Sequence, residues 1–118
     1  MALISKDILD TIDKNIRSLI VEINKLPFVK RTWFSCGGNP EERASSPYID
    51  IEYNMKPEYF NIIQKFNKKI LNMHESVGKE IIIKRRYHYS FDWKTQRDID
   101  RIWKEFMAIV EEFKRIKE

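Results

Sequence analysis

Apolar residues in this 118-residue chain recur at two different periods, and the places where the period changes restrict its fold more than any motif does. Between about Lys6 and Lys25, Ile8, Ile12, Ile16, Leu19, Ile20 and Ile23 fall at steps of three and four, the spacing of one helical face. The same spacing returns from about Pro57 to Asn72, with Tyr59, Ile62, Ile63, Phe66, Ile70 and Leu71 facing inward. It returns again from about Thr95 to Lys117, with Ile99, Ile102, Trp103, Phe106, Ile109, Val110, Phe113 and Ile116. Elsewhere the step is two. From Tyr48 to Tyr53, Ile49, Ile51 and Tyr53 alternate with Asp50 and Glu52. From Lys79 to Phe91, Ile81, Ile83, Arg85, Tyr87, Tyr89 and Phe91 alternate with Ile82, Lys84, Arg86, His88 and Ser90. Phe28 to Phe34, β-branched and aromatic, reads as a further strand.

The punctuation agrees with these boundaries. Ser5 can cap the first helix, and Pro27 forbids its continuation. Pro57 suits the first turn of the second helix, Gly78 marks a turn, and Asp92 or Thr95 caps the last helix. The predicted order is α-β-β-α-β-α. It describes one α+β domain over residues 1–118, two-layered, with an antiparallel-rich sheet of three to four strands covered on one face by three helices. The other sheet face is then open. Neither an internal repeat nor a low-complexity linker interrupts the chain.

One cysteine cannot close an internal disulfide, and no apolar run approaches eighteen residues, so the expected setting is cytoplasmic and reducing, with no membrane partner. Charge is uneven: residues 1–59 hold eight Lys/Arg against nine Asp/Glu, whereas residues 60–118 hold fourteen against nine. A basic second half suits a polyanionic partner, although a Lys-, Glu- and Ile-rich chain also arises without one. The single cysteine and the distant His74 and His88 lack ligand spacing, so no metal is expected.

Two segments carry candidate chemistry. In Ser35-Cys36-Gly37-Gly38-Asn39-Pro40, the glycines can turn successive N–H groups toward one concavity suited to a carboxylate or phosphate, with Ser35, Cys36 and Asn39 as flanking donors. The alternative is plain turn punctuation with Cys36 as a small buried hydrophobe. In the long strand, Lys84, Arg86 and His88 share one face while Arg85, Tyr87 and Tyr89 share the other, so cations lie beside rings able to stack on bases. If that strand lies beside Tyr48–Tyr53, however, Asp50 and Glu52 can neutralise it. A Cys36–His88 dyad requires the two strands to be neighbours. Trp33 fits either a core or a surface role.

The run from Ile16 to Glu42, with a helix ending Ile-Asn-Lys-Leu-Pro followed by Thr32-Trp33-Phe34-Ser35-Cys36-Gly37-Gly38, resembles the start of the wybutosine-synthesis methyltransferase-like family of tRNA-modifying proteins. Gly37 stands where that family has a serine, and Asn39-Pro40 where it has a basic residue. The resemblance implies that Ser35, Cys36 and Gly38 occupy the family's loop, that the process is tRNA modification, and that S-adenosylmethionine is the cofactor. The residues themselves imply no cofactor.

The expectation is therefore a domain that binds RNA or a nucleotide through Ser35, Cys36, Gly37, Gly38, Asn39, Lys84, Arg86 and His88. Whether it is an enzyme is left open. The alternative is a non-catalytic module that forms a homodimer or docks a partner protein through the open sheet face or the last helix.

Overall fold

The computed structural model describes residues 12–38, 47–73, 79–83, 86–91 and 95–115. A 3₁₀ turn at Lys14–Ile16 leads into α1 (Arg17–Asn24), which ends as Pro27 dictates: the amides of Lys25 and Leu26 fall back to carbonyls three residues earlier, each at 3.1 Å. The part of the first helix expected before residue 12, with its Ser5 cap, lies outside the described residues. Next come β1 (Val29–Cys36) and β2 (Tyr48–Tyr53), then a 3₁₀ turn at Pro57–Tyr59 and α2 (Phe60–Leu71). They are followed by β3 (Lys79–Ile83), β4 (Arg86–Ser90) and α3 (Gln96–Lys114). Thr95 caps α3 in a capping box: its hydroxyl accepts from the Asp98 amide and the Asp98 carboxylate accepts from the Thr95 amide.

The fold is α+β, with one four-stranded antiparallel sheet in the order β1-β2-β4-β3. One expectation is corrected. The predicted single strand from Lys79 to Phe91 is a hairpin, so the element order is α-β-β-α-β-β-α. A continuous strand of that length would run about 43 Å, as long as the molecule's largest extent of 42 Å. The fold back changes partners: Ile82 stands opposite Tyr87, while Ile81 and Ile83 stand opposite His88 and Arg86.

The core is assembled from the predicted helical faces and from alternate strand positions. Leu19, Ile20 and Ile23 of α1, Ile62, Ile63, Phe66 and Ile70 of α2, and Ile99, Ile102, Phe106, Val110 and Phe113 of α3 meet Ile49, Ile51 and Tyr53 of β2 and Tyr89 of β4. Phe66 is the centre of the aromatic packing, edge-on to Phe28 at 5.2 Å and to Phe113 at 5.1 Å. Two buried polar groups are satisfied within it. The Asn24 amide donates to Thr32 Oγ1 at 3.0 Å, and the Tyr89 hydroxyl donates to Asn67 Oδ1 while sharing a 2.6 Å bond with the Tyr53 hydroxyl. Among the described residues no helix is long and apolar enough to cross a membrane.

Candidate binding face on the sheet

Residues directly opposite in an antiparallel ladder share a face, so the register fixes which side chains gather on the side of the sheet away from the core cluster. Three cross-strand rows result: Arg31, Glu52 and Arg86; then Asp50 and His88; then Cys36, Tyr48 and Ser90. Strand β1 is irregular. It has Lys30 as an extra residue between the Val29–Tyr53 and Arg31–Glu52 pairs, and it sets residues 33 and 34 against Asp50 alone. These bulges bend the strand and re-aim its side chains, bringing Lys30, Arg31 and Trp33 together onto Glu52.

Glu52 is the anchor of the first row. Its carboxylate, only 7% exposed, accepts from Trp33 Nε1 at 2.8 Å, with Lys30 Nζ at 3.3 Å and Arg31 Nε at 3.8 Å. Burial pushes its carboxyl group up, but the hydrogen bonds from Trp33 and Lys30 and the charges of Lys30 and Arg31 outweigh that and hold it below the ordinary value. Trp33 is 47% exposed, and the guanidinium carbons of Arg31 and Arg86 lie 5.3 Å and 5.4 Å from its ring centre. In the second row the Asp50 carboxylate and His88 Nδ1 share a hydrogen bond, and the Tyr48 ring packs 5.0 Å from the imidazole. Burial, followed by the negative charges of Cys36, Asp50 and Asp13, raises the Tyr48 hydroxyl above its ordinary value.

The predicted site residues divide into two groups. Arg86 and His88 lie on this face, paired with Glu52 and Asp50, and Cys36 closes it opposite Tyr48. Of the alternative weighed from the sequence, in which Asp50 and Glu52 face Lys84 and Arg86, the structure has Glu52 opposite Arg86, with Asp50 opposite His88 instead. Among the described side chains, three cations, Lys30, Arg31 and Arg86, face the two carboxylates, leaving one net positive charge before His88 is counted. Strand β2 lies between β1 and β4, so Cys36 and His88 are not adjacent-strand partners.

Gly37 and Gly38 are engaged elsewhere. The Gly37 amide donates to Asp13 Oδ2 at 2.8 Å, and its carbonyl accepts from Trp103 Nε1 at 2.7 Å and Asn15 Nδ2 at 3.2 Å. Gly38 has φ +84°, and a Cβ there would lie 3.1 Å from Ile99 Cδ1. The Gly37 donor that an anion or the carboxylate of S-adenosylmethionine would need already holds a carboxylate of this chain, so this pair does not fit the cofactor. Ser35 lies opposite the buried Ile49, in a row other than that of Cys36. Asn39 and Lys84 lie outside the described residues.

Sequence reasoning left Trp33 undecided and passed over Lys30 and Arg31. Their convergence depends on the bulges of β1, which no residue pattern announced. Two hollows lie nearby or beyond: one of about 260 Å³ beside Glu52, lined by Lys30, Tyr53, Asn54 and Met55, and one of about 620 Å³ between α2 and α3. In the second, Lys69 Nζ lies 3.9 Å from Glu112. No protein-family model, curated protein or solved structure matches this chain.

Proposed function

We propose that the sheet face carrying Trp33 binds a single-stranded polyanion, RNA being the favoured class, by stacking bases on Trp33 and the flanking guanidiniums while Lys30, Arg31 and Arg86 reach phosphates. The observation that carries this reading is a half-exposed indole set between two guanidiniums on the side of the sheet away from the core. The resemblance of residues 16–42 to tRNA-modifying proteins points to the same polymer. Gly37 braces the end of β1 against α3 through its carbonyl. No catalytic step is assigned.

Near-neutrality of the face sets the expected signature. Stacking dominates, at about 1–3 kcal/mol per base, and the salt dependence is shallow, with a slope of about −0.7 per phosphate contacted. Titration of short oligouridylates at several salt concentrations tests it. Trp33→Ala should weaken binding about tenfold or more with the slope unchanged, and Arg86→Ala should make the slope shallower by about one contact. Absence of saturable binding, or a Trp33→Ala protein that binds like its parent, would remove RNA and leave protein docking on the same Trp- and Arg-rich face.

A further inference from the structure

The binding reading gives the Trp33 row a task and leaves the row beside it without one. That row is Asp50 and His88, opposite each other on β2 and β4. Its two members are not equally wet: the Asp50 side chain is 11% exposed and the His88 side chain 27%. Sinking the acid carries a desolvation cost that a pair formed for stability alone avoids by keeping both heads in water. The imidazole it holds is fixed from two directions, by the hydrogen bond at Nδ1 and by the Tyr48 ring packed 5.0 Å away. An imidazole oriented by a buried acid, with its other nitrogen outside that bond, is an arrangement suited to proton transfer.

We propose that His88 is the general base of an RNA-cleaving site on this face, with Asp50 as its positioning residue and Nε2 as the atom that takes the proton. The inference rests on the RNA-binding reading of the Trp33 row. Glu52 and Asp50 are two residues apart on β2, and Arg86 and His88 two apart on β4, so the rows lie about 7 Å from each other. A base stacked on Trp33 with its phosphate held by Arg86 therefore brings a ribose–phosphate unit to the imidazole. With Nδ1 donating to Asp50, Nε2 keeps its lone pair. It removes the proton of a ribose 2′-hydroxyl, whose oxygen forms a bond to the adjacent phosphorus. The P–O5′ bond breaks, and the proton passes from the imidazolium through solvent to the departing 5′ oxygen. The products are a 2′,3′-cyclic phosphate and a 5′-hydroxyl, so the step consumes no co-reactant. Arg86 offsets the charge that gathers on the non-bridging oxygens. DNA, which lacks the 2′-hydroxyl, is not a substrate.

Single-turnover cleavage of end-labelled oligouridylates by excess protein, with a metal chelator present, tests the step alongside affinity for the same oligomers. The parent should leave 2′,3′-cyclic phosphate ends and should bind, but not cut, the all-deoxy oligomer. His88→Ala and His88→Gln should each slow cleavage about a hundredfold or more at comparable affinity, and added imidazole should restore part of the rate to His88→Ala. Asp50→Asn keeps the shape but removes the charge that orients the ring, and should slow cleavage about tenfold or more with affinity no weaker than the parent's. A parent that binds without cutting would overturn the role of His88 and leave the RNA reading standing. A parent that does not bind would overturn both. Cleavage that survives both His88 variants, or that proceeds on the all-deoxy oligomer, would equally overturn the assignment.

Discussion

Glu52 shows how one residue on a sheet can organise several others. Its carboxylate is nearly inaccessible, yet three donors from β1 converge on it, and the exposed indole is held in place by one of those bonds. Because its folded-state carboxyl titrates below the ordinary value of 4.5, the folded protein binds fewer protons there than the unfolded chain as pH approaches that value. The stabilisation is therefore complete above the unfolded value and is lost as pH falls through the folded one. Glu52→Gln keeps an acceptor for Trp33 but removes the charge, and should cost about 1 kcal/mol at neutral pH. Its acid limb should be flatter than the parent's in urea midpoints measured from pH 7 downward. Parallel limbs for the two proteins would mean that Glu52 gains nothing from its neighbours.

At the scale of elements, Gly37 is the joint where the end of β1, the 3₁₀ turn before α1 and the first half of α3 meet. The two adjacent glycines serve it differently. A Cβ at Gly37 would lie 1.9 Å from Asn15 Oδ1, the tip of a side chain that can swing away at the cost of its bond to the Gly37 carbonyl, about 1 kcal/mol. A Cβ at Gly38 meets Ile99 and Pro47, and the left-handed backbone adds about 1–2 kcal/mol of its own. Gly38→Ala should therefore lower the thermal midpoint more than Gly37→Ala, and the reverse order would show the joint to be held another way. These contacts also show what was legible. The three helical faces were, because Phe66, Phe106 and their neighbours keep one spacing whatever they pack against. The break between β3 and β4 was not: the sequence between Ile83 and Arg86 lacks the Gly, Asn or Asp that normally announces a tight hairpin, and the period-two reading runs on past it. On the candidate site, the pairing of Asp50 and Glu52 with β4 was readable as an alternative from period-two alternation. Trp33 was not assignable, since a bulge changes the face of every residue beyond it without leaving a sequence mark.

For the molecule as a whole, the proposed binding face and the core are opposite sides of one sheet, and this makes their failures separable. Asp50 and Glu52 of β2 lie on the Trp33 side, whereas Ile49, Ile51 and Tyr53 of the same strand are buried in the core cluster. Phe66, where the aromatic packing converges, lies on the core side, so Phe66→Leu should cost about 1–3 kcal/mol of stability yet leave the affinity for oligouridylates unchanged while the chain is folded. Trp33→Ala removes a half-exposed ring and should do the reverse, weakening binding about tenfold or more while lowering stability by about 1 kcal/mol through the lost bond to Glu52. Urea midpoints and oligouridylate titrations on both variants provide the comparison; a folded Phe66→Leu protein that no longer binds would mean that the face is not set by the strand register alone.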